Sequence, residues 1–256
     1  MIVIPSVRGV LAPSSFNPLT ISDLQVWLKA DLGVVTSGSN VTAWNDQSGN
    51  NRNFEKSIPN TGFPTLVGSE VRFTATATYN SATASILALP SSSLNFTTPY
   101  TLISVFRAGG ITGNQNAVVF SKSNNDVKRR KYQLSINGGF VFSLEGNGDI
   151  SFQYDTGTGN NINVKRLVTI QYPSTTFGLM RYNGSQVETT NNSNTIDQIN
   201  TAPVYIGASP FGSGSGYNAE ASYDLRVSEI LFYNRALTLT EIQQIENYLN
   251  LKYSVY

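Results

Sequence analysis

The sequence predicts an all-β fold, in which two antiparallel sheets form a jelly-roll sandwich and one α-helix follows at the C-terminus. Three observations support this prediction. Short apolar segments alternate with period two, which is typical of antiparallel strands with one buried face. Turns rich in Asn and Gly separate the segments, and these residues accept the positive φ angles of tight hairpins. A single segment near the C-terminus has helical periodicity instead.

Eleven short segments have the character of strands. They cover residues 24–30, 41–46, 101–107, 117–122, 131–137, 140–145, 150–155, 166–172, 177–183, 204–207 and 224–233. Tyr132, Leu134 and Ile136, for example, alternate so that they share one side of a strand. The dipeptide Asn183-Gly184 is typical of the turns between them. Many short strands with such turns and almost no helix favour a sandwich or a jelly roll.

One helix is predicted over residues 238–253. Thr238 is placed to cap its N-terminus, and Glu241, three residues later, completes a capping box. Leu237 and Ile242 occupy the positions of a hydrophobic staple. One side of the helix carries an apolar stripe made of Leu239, Ile242, Ile245 and Leu249. We expect this stripe to pack on the sandwich.

The sequence predicts an extended N-terminal arm, residues 1–20, followed by one β-sandwich domain, residues 21–256, which includes the helix. Prolines interrupt the arm, which has no clear period. The arm is nevertheless apolar, through Ile2, Val3, Ile4, Val7, Val10 and Leu11. Two interpretations stay open. The arm packs on its own domain, or it anchors the chain to a neighbour, because apolar surface left in water usually marks an interface.

Composition excludes several classes of function. The chain has no cysteine and no histidine, so disulfides, cysteine nucleophiles and serine–histidine triads are excluded. Charged residues are 13% of the sequence and the net charge is +1, whereas nucleic-acid-binding proteins usually carry a strongly basic face. No segment has the apolar length of a membrane span or the pattern of a signal peptide. We therefore expect no nucleic-acid partner, no membrane insertion and synthesis in the cytoplasm without a signal peptide.

Two parts of the chain resemble a known superfamily. Residues 24–31, Leu-Gln-Val-Trp-Leu-Lys-Ala-Asp, and residues 41–50, Val-Thr-Ala-Trp-Asn-Asp-Gln-Ser-Gly-Asn, resemble the opening of laminin-G-like domains of the bacterial and phage type. Residues 227–237, Val-Ser-Glu-Ile-Leu-Phe-Tyr-Asn-Arg-Ala-Leu, and the following helix resemble the closing strand and terminal helix of these domains. The resemblance spans nearly the whole chain and implies a concanavalin A-like (lectin/glucanase) jelly roll.

The residues that carry the resemblance are assigned structural roles. Trp27 and Trp44 are expected in the core, since tryptophan is highly buried on average. Asp46 and Ser48 precede a glycine and are expected to bond nearby backbone in a turn. Asn234 and Arg235 are expected to order the link between the last strand and the helix.

The glucanase branch of the superfamily uses a Glu-x-Asp-x-(x)-Glu strand, whose alternate residues direct carboxylates into one cleft. No such strand is present in this sequence, and Glu145 and Asp149 are separated by a predicted hairpin turn. A retaining pair of carboxylates has to lie about 5–5.5 Å apart. The sequence therefore predicts that the chain is not an enzyme.

Polar residues alternate with core residues along the central strands. The candidate ligand-binding residues are Gln133, Ser143, Glu145, Gln153, Asp155, Gln171 and Arg181. If their strands are neighbours, these side chains form one polar face, and the resemblance implies that a sugar is held on such a face or on its rim. The alternative is an ordinary solvated face of an antiparallel sheet.

A calcium site is a further prediction, because the resemblance to laminin-G-like domains and legume lectins implies that Ca²⁺ is common. The nearest set of oxygen ligands is Asp126, Asn147 and Asp149, on predicted loops. The alternative is that these residues form turns, as Asp and Asn in loops commonly do.

Three hypotheses of function follow. The first is a structural and binding module on the surface of a phage particle. It decorates the capsid or forms part of a fibre, contacts other virion proteins or copies of itself through the arm, and adheres to cell-surface glycans of the host. The missing signal peptide, the apolar arm and the resemblance support it. The second is a carbohydrate-binding lectin of a cell, and the third is a glycoside hydrolase with an atypical site.

Overall fold

The structure is a computed structural model. It describes residues 16–56, 62–75, 84–89, 94, 99–109, 116–123, 129–135, 140–146, 149–155, 163–174, 177–191, 203–211, 218–221 and 224–256. The backbone alone is described for residues 116, 123, 129–135, 140–146, 149–155, 190–191, 209–211 and 218–221.

Strands dominate this part of the chain. After a 3-10 helix, Pro18–Thr20, the elements are β1 Leu24–Lys29, β2 Val34–Ser37, β3 Asn40–Trp44, β4 Phe54–Glu55, β5 Thr65–Leu66, β6 Val71–Thr74, β7 Leu87–Leu89, β8 Tyr100–Ala108, β9 Asn116–Ser123, β10 Arg129–Ser135, β11 Phe140–Gly146, β12 Asp149–Asp155, β13 Arg166–Tyr172, β14 Phe177–Tyr182, β15 Ser185–Asn191, β16 Val204–Ile206, β17 Ala208–Phe211, β18 Asn218–Ala221, β19 Asp224–Tyr233 and the helix α1 Leu239–Tyr253. None of the helices in the described part has the length and apolar character needed to cross a membrane.

The strands form two antiparallel layers. Sheet A has the order β15–β14–β13–β8–β19, and β1 and β6 pair with successive halves of the other edge of β19. Sheet B has the order β12–β11–β10–β9–β16–β7–β4–β3–β2. Strand β5 pairs with both β3 and β6 and so joins the two layers. Strands β17 and β18 pair with each other. The predicted antiparallel jelly-roll sandwich with a C-terminal helix is confirmed.

The main core lies between the two sheets, and a second core lies outside sheet A. Along β8, Leu102 and Phe106 belong to the main core, whereas Ile103 and Val105 belong to the outer core beneath α1. Because both faces of sheet A are buried, its central strands are almost continuously apolar rather than alternating. Trp44 is fully buried in the main core, as predicted.

Helix α1 covers the outer face of sheet A over β13, part of β8 and the half of β19 that pairs with β1. Thr238 caps it through the predicted capping box with Glu241, which is confirmed. The inward face consists of Ile242, Ile245, Glu246 and Leu249, all buried. The predicted apolar stripe is wrong at Leu239, which is 55% exposed. Leu239 lies at the margin of the inward face of the helix. Glu246 occupies a position of that face together with the apolar residues.

The last residues of the predicted arm also pack on the outer core. The Phe16 ring lies 6.0 Å from the Tyr248 ring of α1, and the Tyr233 hydroxyl donates to the Pro18 carbonyl at 3.2 Å. Residues 1–15, which include all the apolar positions of the arm named above, lie outside the described residues. An anchoring role of the arm therefore stays a prediction.

Candidate functional site

The strands that carry the candidate ligand-binding residues lie in different sheets. Strand β13 pairs along its two edges with β8 and β14 in sheet A, whereas β12 pairs with β11 in sheet B. The condition for a single polar face is therefore not met, because the chain crosses between sheets after β12. The residues on sheet B are Gln133, Ser143, Glu145, Gln153 and Asp155. They are described by their backbone alone and remain candidate ligand-binding residues.

The two candidates on sheet A are buried beneath α1. Gln171 is 4% exposed and Arg181 is 5% exposed. The Gln171 side chain donates to the Leu237 carbonyl at 2.8 Å and to the Thr101 hydroxyl at 3.1 Å. The interpretation of these two residues as an open ligand-binding surface is corrected, because a helix occupies the face on which they lie.

Arg181 forms an ion pair with Glu246 of α1. The distances are 3.0 Å from Nε to Oε1 and 2.9 Å from Nη2 to Oε2. The Thr169 hydroxyl also donates to Glu246 at 2.9 Å, and Arg181 Nη2 also donates to the Gly184 carbonyl. Glu246 is only 2% exposed. Burial of these charges is tolerated because they are paired with each other and hydrogen-bonded to further groups.

A cleft of about 520 Å³ opens beside this ion pair. It lies between the turn that joins β14 to β15, the helix α1 and the C-terminal residue. Its lining consists of Asn183, Gly184, Ser185, Gln243, Glu246, Asn247 and Tyr256. The volume falls within the range of about 300–1,000 Å³ that is usual for small-ligand sites.

The turn at the floor of the cleft follows from its sequence. Asn183 and Gly184 have φ angles of 46° and 81°, as expected for the Asn-Gly turn that the sequence predicted. The Asn183 side chain accepts from the Leu167 N–H at 3.0 Å, and the Asn183 N–H donates to the Leu167 carbonyl at 2.9 Å. The turn is thus fixed to β13.

The Tyr256 ring closes one side of the cleft. It lies so near to Gly184 that a Cβ atom at that glycine would be 2.6 Å from the Tyr256 hydroxyl oxygen. The backbone N–H groups of Val255 and Tyr256 both donate to Asn250 Oδ1 at 2.9 Å. These bonds tie the last residues back to α1 and hold the ring over the turn.

The cleft offers neutral hydrogen-bonding groups around one aromatic ring. Ser185, Gln243 and Asn247 are exposed, and their side chains have no hydrogen-bond partner within the described part of the chain. Partial burial, and then the Glu246 carboxylate, raise the pKa of Tyr256. Its hydroxyl therefore stays protonated at neutral pH, while its ring presents an apolar face. This arrangement suits a ligand with many hydroxyl groups.

A second polar cluster surrounds Glu229, whose side chain has no exposed surface. It accepts from Trp27 Nε1 at 2.6 Å, the Tyr253 hydroxyl at 2.7 Å, Lys252 Nζ at 2.8 Å and the Tyr248 hydroxyl at 3.1 Å. Burial, and then the Glu229 carboxylate, raise the pKa values of both tyrosines. The cluster fastens the end of α1 to β1 and β19, and the predicted buried role of Trp27 is confirmed.

The other residues of the resemblance also have structural roles. Asp46 Oδ1 accepts from the backbone N–H groups of Trp27 at 2.8 Å and Ser48 at 2.9 Å, so the predicted turn roles are confirmed. Arg235 donates to Glu241 at 2.6 and 3.0 Å and so orders the link to α1.

The predicted metal ligands lie largely outside the described side chains. Among them, no group of three His, Cys, Asp or Glu side chains could hold a metal ion. Asp126 and Asn147 lie outside the described residues, and Asp149 is described by its backbone alone. The calcium site stays a prediction.

Comparison with a protein family model identifies the fold. Residues 80–243 match the model of the concanavalin A-like lectin/glucanases superfamily, of the laminin-G type. The match covers more than half of the chain, so the chain belongs to this superfamily, as its terminal motifs indicated. No curated protein matches the sequence significantly.

Solved structures of the same fold come from very different proteins. Trypanosoma rangeli sialidase in complex with sialic acid has a TM-score of 0.58 and 15% identity, over 91% of this chain and 34% of the sialidase. The binding domain of Paraclostridial Mosquitocidal Protein 1 has a TM-score of 0.60 and 18% identity, over 90% of this chain and 53% of that chain. A structure of botulinum neurotoxin type C has a TM-score of 0.62 and 10% identity, over 89% of this chain and 51% of that chain. Cell entry of this toxin depends on interaction with two ganglioside molecules. This chain thus spans between about a third and about half of those chains, and the likeness shows the fold alone.

The prediction that the chain is not an enzyme is corrected by these structures. Sialidases are among the proteins of this fold, at 15% and 16% identity. The missing glucanase motif therefore does not exclude catalysis. At such low identity the likeness assigns no reaction to this chain.

Proposed function

We propose that this chain is a carbohydrate-binding module and that a glycan binds in the cleft beside Tyr256. The observation that carries the proposal is the lining of the cleft, where amide and hydroxyl groups surround one aromatic ring, and the Glu246 carboxylate is already paired with Arg181. A sugar ring presents hydroxyl groups around its rim and C–H bonds on its faces. The amides and hydroxyls suit the rim, and the Tyr256 ring suits a face.

The comparisons support the proposal at a coarser level. The superfamily is described as one of lectins and glucanases. Two of the similar structures are described with a sugar or a glycolipid, namely sialic acid for the sialidase and gangliosides for the neurotoxin. Because one fold hosts many functions, the proposal depends on the cleft and its test is made there.

A glycan array with the full chain, followed by calorimetric titration of the glycans that bind, tests the proposal. Tyr256→Ala is expected to weaken binding about tenfold or more, since buried aromatic contacts dominate small interfaces. Leu251→Ala is the control, because Leu251 lies on the same helix but outside the cleft lining and is 79% exposed. The proposal fails if the array shows no ligand or if the two variants bind equally well.

A pair of glycines isolates the position of the ring. Gly184 and Gly38 have φ angles of 81° and 60°, so an alanine is strained at either position. An added Cβ meets Tyr256 at Gly184 and meets nothing within 4 Å at Gly38. Gly184→Ala is therefore expected to lose glycan affinity, whereas Gly38→Ala keeps it. Equal affinity in both variants would show that the ring does not contribute.

A more specific role, that of a phage virion protein that adheres to host glycans, is also a proposal. The apolar sequence of residues 1–20 supports it. Particles assembled with a chain that lacks residues 1–15 should fail to incorporate it, although the isolated truncated chain folds. Normal incorporation would favour the alternative, a cellular lectin.

A further inference from the structure

Three arginines stand side by side across sheet A, on the half of β19 that pairs with β6. Arg226 of β19 lies directly opposite Arg72 of β6 and directly opposite Arg107 of β8. The residues that alternate with them belong to the main core, namely Val71, Phe73, Phe106, Leu225 and Val227. The arginine side chains therefore share the outer face of the sheet, and we call them the arginine row.

Two carboxylates hold the row together, although like charges in opposed positions repel. Asp224 accepts from Arg72 Nε at 2.8 Å and from Arg226 Nε at 3.3 Å. Glu70 accepts from Arg107 Nε at 2.9 Å. Arg107 and Arg226 also donate from Nη2, to Glu70 and Asp224. These bonds fix the direction of the side chains without using all their donors.

The row nevertheless keeps an excess of positive charge. Lys165 Nζ lies 3.8 Å from Glu70 Oε1, so four cations share two carboxylates. The local surplus of two charges exceeds the net charge of the whole chain, which is +1. In a sequence with only 13% charged residues, such a concentration of cations is unusual.

Several guanidinium nitrogens still have donors to offer. Within the described residues, both terminal nitrogens of Arg72 and the Nη1 atoms of Arg107 and Arg226 have no acceptor. The three side chains are 38%, 25% and 21% exposed, so solvent reaches them. Guanidinium groups present N–H donors in a fork that matches the two oxygens of a carboxylate, sulfate or phosphate.

The geometry points to an oxyanion-binding site on the arginine row, which takes a carboxylate, sulfate or phosphate group. Glu70 and Asp224 orient the guanidinium groups in advance, which lowers the cost of binding. The row shares no lining residue with the Tyr256 cleft, and this inference does not depend on a glycan binding there.

Backbone amide NMR of the full chain tests the site, during titration with sodium sulfate, sodium phosphate and sodium glucuronate. Sodium chloride at the same ionic strength is the reference, because chloride screens charge but has no pair of oxygen atoms for a guanidinium group to bind. The oxyanions should shift the amides at 70–72, 107 and 224–226 saturably. Preference for glucuronate would identify a saccharide carboxylate as the ligand group, and preference for sulfate or phosphate a tetrahedral anion. Both results support the site.

Arg226→Gln, at the centre of the row, should weaken oxyanion binding about tenfold through the loss of a charge-assisted pair. Lys29→Gln removes one positive charge from β1 of the same sheet, outside the row, and should leave the affinity unchanged. If Arg226→Gln does not fold, Arg72→Gln on β6 replaces it. Shifts that match those of chloride for every probe, or equal weakening in the row and control variants, would overturn the inference.

Discussion

At the scale of single residues, two buried glutamates attach the helix layer to sheet A. Glu246 of α1 pairs with Arg181 of β14, and Glu229 of β19 accepts from Lys252 at the other end of the helix. Isolated buried charges are costly, so each carboxylate depends on its partners. The net contribution of such a pair is small, whereas the penalty for removing one partner is large.

Glu246→Ala is therefore expected to destabilise the fold by about 3–5 kcal/mol, because it leaves Arg181 buried without a counter-charge. The double variant Arg181→Met with Glu246→Leu should recover most of this loss, since it replaces the pair by apolar groups of similar size. Urea unfolding at neutral pH measures both free energies.

Gln244→Ala, at an exposed position of the same helix, is the control and should change stability by less than about 0.5 kcal/mol. If the losses in the Arg181 and Glu246 single variants simply add up in the double variant, the pair is not coupled and the account of the buried contact is wrong.

Single residues differ in how far the sequence predicts their surroundings. The large apolar area of Trp27 and Trp44 indicates burial wherever they lie, and both are buried. Period two predicted correctly that Gln171 and Arg181 point away from the main core. It could not indicate that α1 covers that face, because the covering helix lies more than sixty residues further along the chain. The Tyr256 cleft was missed for the same reason.

At the scale of elements, the start of α1 combines a cap with an ion pair. Hydrogen bonds from the Arg235 side chain lower the pKa of Glu241 from 4.5 to about 2, although partial burial acts in the opposite direction. Further hydrogen bonds from Thr238 also lower it. Because this pKa is lower in the folded chain, the charged carboxylate stabilises the fold above about pH 4.5, and this stability is lost as the pH falls towards 2.

Glu241→Gln is expected to lower the free energy of unfolding at pH 7, while it retains a side-chain acceptor for the cap. The difference from the native chain should shrink between pH 4.5 and pH 2. Urea unfolding at a series of pH values checks this. A difference that stays constant over the whole range would mean that the charge of Glu241 does not contribute.

The clearest patterns predicted their elements well. The predicted bounds of β13 and β19 agree with the structure, and α1 differs by one residue at its start. Eight strands were missed, namely β2, β4, β5, β6, β7, β15, β17 and β18. All but β15 have only two to four residues, and so few positions establish no period. Strand β15 has seven residues, but Val187 is its only apolar one, so it shows no alternation.

At the scale of the whole molecule, the centre of sheet A is covered on both faces, by sheet B and by α1. Its central amides should therefore exchange with solvent only through global unfolding. We expect the slowest hydrogen exchange at Ile103, Val105 and Leu231, which have no exposed surface. Val35 and Thr36 of β2, at the exposed end of sheet B, should exchange through local opening.

Native-state hydrogen exchange in increasing denaturant measures, for each amide, the free energy of the opening that exposes it to solvent. That opening is global unfolding for sheet A and local opening for β2. The protection of sheet A should fall with denaturant as steeply as global stability does, whereas that of β2 should depend on it weakly. Similar slopes in both regions would show that the helix layer adds no protection.

The order of the strands was beyond prediction for a physical reason. Local sequence determines which residues extend, but the order of strands in a sheet depends on which apolar faces meet in three dimensions. A single polar face required β12 and β13 to be neighbours, and they lie in different sheets. The strand that β13 contacts instead, β8, is separated from it by some sixty residues.

The pairing of β1 with β19 has a consequence for how the chain is made. Trp27 and Glu229, which share a hydrogen bond, are 202 residues apart in the sequence, and β19 separates β1 and β6 from β8 in sheet A. On the ribosome, these early strands emerge long before the strand that joins them. The apolar faces of β1 and β8 therefore stay exposed until residues 224–253 have been synthesised. Such non-local pairing slows folding and exposes the nascent chain to aggregation, so the synthesis of residues 224–253 controls when sheet A is complete.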